Sequence, residues 1–401
     1  MKKIKKKPEA KKTTKRKSTG IDWMLVLIVG ILLVFGLIML YSASSYNSQI
    51  KFGTSSWYLR RQFFSTLAGI AVMFGVTFIP LNFWKKVAPL VYGIAVISIF
   101  LILTPLGGEE INGAKRWLNL KVISLQPAEI MKIAIIIGMA FFISKFIRFL
   151  DDWRMYALCF SICLVGCGLT LFITDDLGTA IIMFAMGFVI MLISSPKVLY
   201  LVITAAVSLG AVVGVILLKP NKMVRVQSWL HLDQYADDIG YQITQALYAV
   251  GSGGVFGKGL GKSTQKMGFV PESENDMIFS IICEELGIIG GILLIVLVVL
   301  LIWRMKKIYD KTTDIFGRVV VAGVATHIAV QTFVNIAVVT NLLPNTGVPL
   351  PFMSYGGTAI LFLLAEIGMV LAVGRLKQED PTKKRQEYYR RDKEKGVIYF
   401  Q

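Results

Sequence analysis

Long, mostly apolar stretches decide the fold, and the clearest covers residues 277–303, which read MIFSIICEELGIIGGILLIVLVVLLIW. A helix needs about 20 apolar residues to cross the roughly 30 Å hydrocarbon core of a membrane. This stretch exceeds that length, and nine others come close to it or match it. The sequence therefore predicts ten transmembrane helices, near residues 22–42, 59–79, 84–104, 125–147, 155–173, 177–194, 198–218, 277–303, 317–341 and 355–375.

The charges are concentrated at the two ends of the chain. The sequence has 43 Lys and Arg against 25 Asp and Glu, a formal net charge of +18, although 55% of its residues are hydrophobic. Residues 1–20 hold ten basic side chains and residues 375–401 hold nine, so the tails supply most of this charge. The pattern excludes a soluble enzyme and a disordered chain, and it gives no basic folded face for binding nucleic acid.

The same charges predict the orientation in the membrane. Lys and Arg accumulate in cytoplasmic segments, and ten spans place both tails on one side, so we expect both termini in the cytoplasm. The predicted organisation is a basic tail over 1–20, an all-α transmembrane domain over 21–376 and a second basic tail over 377–401. Residues 219–276 form the one large extracytoplasmic loop, between helices 7 and 8, with amphipathic stretches at 224–232 and 242–250.

Several ionisable or polar side chains fall within the predicted spans, where they are costly and often functional. Glu129 and Lys132 are spaced to pair on one helix face, either as a structural pair or as part of a substrate site. His327, Gln331 and Asn335 recur at intervals of four, which favours hydrogen bonds between helices over a proton relay. These residues predict a polar cavity open to the outside, which fits a transporter or an enzyme.

Basic side chains in the predicted outer segments run against the usual charge bias. Lys115, Arg116 and Lys258 are examples. They indicate either binding of an anionic substrate outside the membrane or ordinary solvated loops, and these residues alone leave both interpretations open.

Five motifs follow one another along the chain: NGAKRW at 112–117, SLQPAE at 124–129, DLGTA at 176–180, PESEND at 271–276 and LPNTGVPLPFMSYGG at 343–357. In this order they resemble the SEDS family (shape, elongation, division and sporulation), which includes FtsW, RodA and SpoVE. The resemblance extends over residues 20–376.

This resemblance implies a peptidoglycan glycosyltransferase that polymerises lipid II in the cytoplasmic membrane of a bacterium. It also implies a class B penicillin-binding protein as partner. Within the family, the chain looks more like the division and sporulation branch than the elongation branch, so we expect divisome partners and a position at the division septum. The basic tails are expected to contact anionic membrane lipids.

Polymerisation of lipid II inverts the donor sugar, because an α-linked donor gives a β-1,4 product. The resemblance places the family's essential acid at Asp276, which is suited to act as general base at the membrane boundary. Cations are needed for the pyrophosphate. The candidate substrate-binding residues are Lys115, Arg116, Glu129, Lys132, Asp176 and Lys258.

The sequence contains no recognisable set of metal ligands and no recognisable nucleotide-binding loop. No cofactor is therefore evident, although a divalent cation, Mg²⁺ or Mn²⁺, is compatible with a pyrophosphate substrate. Three alternatives stay open: a lipid II flippase, an elongation-type polymerase of the same family, and a non-catalytic scaffold for the penicillin-binding partner.

Overall fold

The computed structural model describes residues 20–108, 115–119, 124–195 and 197–375. The predicted tails over 1–20 and 377–401 lie outside these residues, apart from Gly20, and so do residues 112–114 of the NGAKRW motif. Residues 219–276, predicted to be the large outer loop, are described in full.

Twelve α-helices form the described part of the chain. They are α1 (Trp23–Phe52), α2 (Trp57–Phe78), α3 (Leu81–Phe100), α4 (Pro127–Phe146), α5 (Trp153–Ile173), α6 (Leu177–Ser194), α7 (Val198–Leu218), α8 (Pro220–Leu230), α9 (Tyr241–Gly253), α10 (Ile278–Lys311), α11 (Ile315–Val339) and α12 (Gly357–Gly374). A hairpin of two-residue strands, β1 (Leu118–Asn119) and β2 (Ser124–Leu125), precedes α4.

Ten of these helices, all except α8 and α9, are long and apolar enough to cross a membrane. This confirms the predicted all-α membrane fold with ten spans within the described residues. The largest difference between a predicted span and the observed helix is in α1, which continues to Phe52 although the apolar stretch ends near residue 42. Gly53 then ends α1 in a left-handed conformation. The predicted cytoplasmic position of both termini stays a prediction.

Local sequence explains where several helices begin. The Asp22 side chain accepts a hydrogen bond from the Leu25 amide (3.0 Å), and the Asp314 side chain accepts one from the Gly317 amide (3.1 Å). These contacts satisfy amides that have no partner within the first helical turn. Pro127 occupies the first position of α4, where its missing N–H costs nothing.

The most buried spans are α4, α11 and α12, and α7 is the most exposed. Helix α11 packs against α4, α6, α10 and α12, so it lies at the centre of the bundle. Side chains on α11 can therefore contact several other helices, and any polar group there must find its partner within the protein.

The outer segment between α7 and α10 is folded. The amphipathic stretches predicted at 224–232 and 242–250 correspond to α8 and α9. The end of the bundle that carries these two helices is called the outer end. Turns occupy most of residues 254–277 and lead into α10.

Helix α10 is broken at Gly287, whose φ of 69° and ψ of −169° are not helical. The outer segment enters this break. The amides of Lys258 and Gly259 donate to the carbonyl oxygens of Glu284 and Glu285 (2.9 Å each), and the Ile288 amide donates to the Gly254 oxygen (3.0 Å). The outer segment thus supplies partners for backbone groups that the break would otherwise leave unpaired in the membrane.

Candidate functional site

Asp276 lies two residues before α10, at the outer end of the bundle. The residue is partly exposed, but its carboxyl oxygen Oδ1 is buried and has no hydrogen-bond partner among the described residues. Its backbone oxygen accepts a hydrogen bond from Asn335 Nδ2 on α11 (2.7 Å). The main chain is therefore held while one carboxyl oxygen remains free to accept a proton.

The last outer segment, residues 344–356, packs around the Asp276 region. Asn335 Nδ2 also donates to the Val348 oxygen (2.8 Å), so one amide ties this segment to Asp276. Ser354 Oγ donates to the Asn275 oxygen (2.7 Å). Gly347 has a positive φ of 66°, and a Cβ added there would lie 3.8 Å from Asp276 Oδ2. The glycine gives the backbone its turn and leaves space beside the carboxylate.

The surroundings raise the pKa of Asp276 to about 7. Burial is the largest cause, and the negative charge of Glu272 is the next. The positive charge of Arg225 opposes them, and Glu274 raises the pKa further. A carboxylate that titrates near neutral pH is well matched to general-base catalysis at that pH.

Two guanidinium groups lie near one another on this side of the bundle. Burial lowers the pKa of Arg225, and the positive charge of Arg116 lowers it further. The negative charges of three carboxylates oppose this change, those of Asp175, Asp176 and Asp276. Arg225 Nη1 donates to the Asn345 oxygen (3.3 Å), and Arg116 donates through Nε to the Thr174 oxygen (3.3 Å). Within the described residues neither guanidinium forms an ion pair, so both keep charge for an anion.

Asp175 forms ion pairs with two lysines at the outer end. Lys219 Nζ lies 2.5 Å from Oδ1, and Lys222 Nζ lies 2.9 Å from Oδ2. Burial raises the pKa of Asp175, but the hydrogen bonds from the two lysines outweigh it, and the net shift is downward. One carboxylate against two ammonium groups leaves this corner positively charged.

Asp176, a predicted substrate-binding residue, uses both of its carboxyl oxygens as hydrogen-bond acceptors at the start of α6. Its Oδ1 accepts the Thr179 amide (2.9 Å) and its Oδ2 accepts the Thr179 hydroxyl (2.8 Å). Lys115, next to Arg116, is exposed. The contacts of Asp176 are those of a helix cap, whereas Lys115 extends into solvent; a substrate role for either residue stays a prediction.

Glu129 and Lys132 form a buried ion pair (2.9 Å) within α4. Lys132 Nζ also contacts His327 Nε2 (3.0 Å) and Gln331 Oε1 (3.1 Å) on α11, and His327 Nδ1 contacts Glu366 Oε2 (2.7 Å) on α12. The network joins three helices, which is the interhelical bonding predicted for the His327 stripe. Its link to the site is indirect, because Gln331 Nε2 donates to the Pro349 oxygen (2.9 Å) in the last outer segment.

Lys258 belongs to a different cluster. Its Nζ lies 2.6 Å from Glu284 Oε1, and the Glu284 carboxylate also accepts hydrogen bonds from Ser263 and Thr264. Glu285, the next residue, pairs with Lys266 (2.7 Å). Both glutamates are fully buried. The structure places Lys258 where it fastens the outer segment to α10, and its predicted substrate role stays untested.

The described residues contain no group of three or more His, Cys, Asp or Glu side chains that could hold a metal ion. Any divalent cation at this end of the bundle would have to take most of its ligands from a substrate and water, as Mg²⁺ often does.

The structure thus brings together Asp276, Arg225 and Arg116 at the outer end. Asp276 and Arg116 are residues that the sequence predicts for this site, whereas Arg225 and Asn335 are not. Arg225 is one of several basic residues in the outer segment, and only its folded position distinguishes it from Lys219 and Lys222. Asn335 was visible as the last member of the polar stripe on α11.

Comparisons with known proteins agree on one family. The model of the family described as "Cell cycle protein" (FtsW, RodA and SpoVE) matches residues 22–379. Stage V sporulation protein E of Bacillus subtilis (strain 168) is 36% identical, over 90% of this chain and 98% of its own length. A probable peptidoglycan glycosyltransferase FtsW of Geobacter sp. (strain M18) is 33% identical, over 89% of this chain and 98% of its own.

Two solved structures have a similar fold. One, from a study of how a peptidoglycan synthase complex coordinates polymerization and crosslinking, has a TM-score of 0.74 and 27% identity, over 90% of this chain and 99% of its own. The rod shape determining protein RodA of Thermus thermophilus has a TM-score of 0.65 and 27% identity, with the same coverage.

Proposed function

Since this chain belongs to the FtsW, RodA and SpoVE family of cell cycle proteins, we propose that it is a peptidoglycan glycosyltransferase. It polymerises lipid II into glycan strands, with Asp276 as the general base. The family relationship and the name of the Geobacter relative support the activity. The geometry around Asp276 supports the assignment of the base.

One observation carries the proposal for the base. Asp276 Oδ1 is buried without a partner in the part of the chain that the structure describes, and the surroundings raise the pKa of the carboxyl group to about 7. A carboxylate with only a structural role would normally be hydrogen-bonded at this depth, because an unpaired buried polar atom is costly. Among the described residues, Asp276 Oδ1 lacks a hydrogen bond and the nearby Arg225 lacks an ion pair, which supports a carboxylate and a cation that act on a substrate.

The reaction follows from these roles. The 4-hydroxyl of the acceptor sugar attacks the anomeric carbon of the donor from the face opposite the pyrophosphate. Asp276 accepts the hydroxyl proton as the new C–O bond forms, and the bond from the anomeric carbon to the lipid pyrophosphate breaks. The departing pyrophosphate takes the bonding electron pair, and nearby cations stabilise its added charge.

Arg116 and Arg225 are the best-placed groups to hold the pyrophosphate. A guanidinium can grip two phosphate oxygens at once, and neither residue is neutralised by a carboxylate within the described residues. Lys115 extends from the same side. A divalent cation, Mg²⁺ or Mn²⁺, would supply further charge stabilisation, held mainly by pyrophosphate oxygens and water.

The test is polymerisation of labelled lipid II by purified protein. We expect Asp276→Asn to reduce polymer formation by at least about a hundred-fold, as loss of a general base typically does, while expression and thermal stability are retained. Asp233→Asn, which removes an exposed acid from the same outer segment, is the matched control and should keep full activity.

Wild-type polymerisation by Asp276→Asn would overturn the assignment of the base. Wild-type protein that moves lipid II across vesicle membranes without forming polymer would instead support the flippase. The scaffold alternative would be supported if polymer formed only after an active partner protein was added and if Asp276→Asn did not change the amount of that polymer.

We also infer that the protein works with a class B penicillin-binding protein and other divisome proteins at the division septum. The similarity to a chain from a peptidoglycan synthase complex and the family's description as cell cycle proteins support this inference. We expect a tagged copy to co-purify with a class B penicillin-binding protein, and a fluorescent fusion to collect at septa. A uniform side-wall signal would favour the elongation-type alternative.

A further inference from the structure

A cavity of about 150 Å³ lies at the outer end, between α8, α9 and the segment that follows α11. Its polar lining comes from Arg225, Ser228, Trp229, Gln242, Asn341 and Asn345. We propose that this cavity binds one N-acetylated sugar of the glycan strand, beyond the two sugars that react at Asp276. This proposal rests on the proposed function and adds a separate binding site to it.

The lining suits an uncharged, polyhydroxylated ligand. It combines an indole, three side-chain amides, one hydroxyl and one guanidinium with three aliphatic side chains, and it includes no carboxylate. Trp229 Nε1 donates a hydrogen bond to the backbone carbonyl oxygen of Asn341 (3.0 Å), which fixes the indole ring. Amides hydrogen-bond to hydroxyl and acetamido groups, and an aromatic face packs against the apolar face of a sugar ring.

Some of these polar groups are available for a ligand. Asn341 adopts a positive φ of 56°, an uncommon conformation for a non-glycine residue. Its side-chain amide has no hydrogen-bond partner among the described residues. Asn345 Nδ2 donates one hydrogen bond to Gln242 Oε1 (2.8 Å), which leaves its second N–H unassigned. The cavity therefore presents donors and acceptors that the protein has not satisfied internally.

The cavity and Asp276 share the same last outer segment. Asn345 lines the cavity, and Gly347, two residues further on, lies beside Asp276 Oδ2. Arg225 joins the two regions, because it lines the cavity and its charge acts on Asp276. A strand that leaves the reacting centre along this segment would therefore pass the cavity.

A pyrophosphate is a poorer occupant. Arg225 is the only cation among the cavity-lining residues, whereas Lys219 and Lys222 are both bound to Asp175. A ligand with two or more negative charges would need further cations in the cavity to replace its hydration. The neutral sugar is the occupant that these side chains match.

The test measures binding of a soluble N-acetylglucosamine tetrasaccharide to the full chain in detergent, by saturation-transfer NMR. We expect Trp229→Ala to weaken binding by about ten-fold and Trp229→Phe, which keeps an aromatic face, to weaken it less. Asn341→Gly removes the amide and tolerates the positive φ, so it should weaken binding while the fold is retained. Tyr248→Ala, an exposed aromatic on α9, is the control.

The outcomes separate this site from the proposed function, because sugar binding needs no catalysis. Binding that is weakened in Trp229→Ala and Asn341→Gly and kept in Asp276→Asn supports the cavity, whether or not polymerisation is observed. No binding by wild-type protein, or equal binding by all variants, overturns it. Direct binding of inorganic pyrophosphate that is weakened in both Trp229→Ala and Asn341→Gly would also overturn it and assign the cavity to the leaving group.

Discussion

At the scale of single residues, the charge of Asp276 depends on a balance between neighbours of opposite sign. Burial and Glu272 favour the protonated form, and Arg225 favours the carboxylate. The balance sets the pKa near 7, so small changes in the neighbours alter the fraction of base that is available at neutral pH.

This balance predicts a pH dependence. The base acts only as the carboxylate, so we expect the polymerisation rate to fall as the pH drops through about 7. At pH 6 the rate should be about one tenth of its plateau above pH 8, since each pH unit below the pKa reduces the ionised fraction about ten-fold. Initial rates from pH 5.5 to 9 measure the profile.

Two variants should move this profile in opposite directions. Arg225→Gln removes the charge that stabilises the carboxylate, so the pKa should rise and the rate should fall off at higher pH. Glu272→Gln removes a repulsive charge, so the fall-off should move to lower pH. Equal profiles for both variants would show that a group other than Asp276 controls the rate.

At the scale of elements, the junction between α10 and the outer segment leaves no space for a side chain at two positions. Gly257 has a positive φ of 77°, and a Cβ added there would overlap the carbonyl oxygen of Glu285. Gly287 meets the Val255 oxygen in the same way. Neither glycine can gain a side chain unless the two backbones separate.

We therefore expect Gly257→Ala to destabilise the protein by more than about 1 kcal/mol, because it combines an unfavourable φ with a backbone clash. Gly251→Ala is the matched control, since a Cβ at that helical position meets nothing within 4 Å. Thermal unfolding in detergent should show a clear decrease in Tm for Gly257→Ala only. Equal Tm values would mean that the junction opens without cost.

The sequence predicts the spans well but not this junction. Hydrophobic stretches of about 20 residues have few alternatives to membrane helices, so the ten spans could be counted directly. The break at Gly287 lies within such a stretch and does not change its hydropathy. Its cause is the return of residues 254–259, a contact between distant parts of the chain. The extension of α1 to Phe52 is likewise set by packing and capping.

At the scale of the whole molecule, the candidate site combines residues from widely separated parts of the sequence. Asp276 could be selected because the PESEND motif resembles a family motif. Arg225 could not, because one basic residue among several in an outer loop has no distinguishing local pattern. Lys132 and Lys258 show the converse difficulty, because their positive charge suggests anion binding. The structure pairs Lys132 with Glu129, as their spacing predicts, and pairs Lys258 with Glu284, which only the fold reveals.

The predicted orientation can be tested on the whole protein. In a variant with its four cysteines replaced by alanine, we expect Gln234→Cys to react with an impermeant maleimide in intact cells. Asp310→Cys, at the opposite end of α10, should react only after lysis. Both positions are exposed. Reaction of Asp310→Cys in intact cells would contradict the orientation expected from the basic tails.

The break in α10 also has a consequence for biosynthesis. Residues 254–259 leave the ribosome before α10 does, yet their backbone partners lie around Gly287, inside the helix that follows. The upstream segment must therefore wait until its downstream partner is synthesised, and α10 completes its hydrogen bonding only when residues 254–259 lie beside it. Final folding of this helix thus depends on the placement of a segment that is synthesised before it.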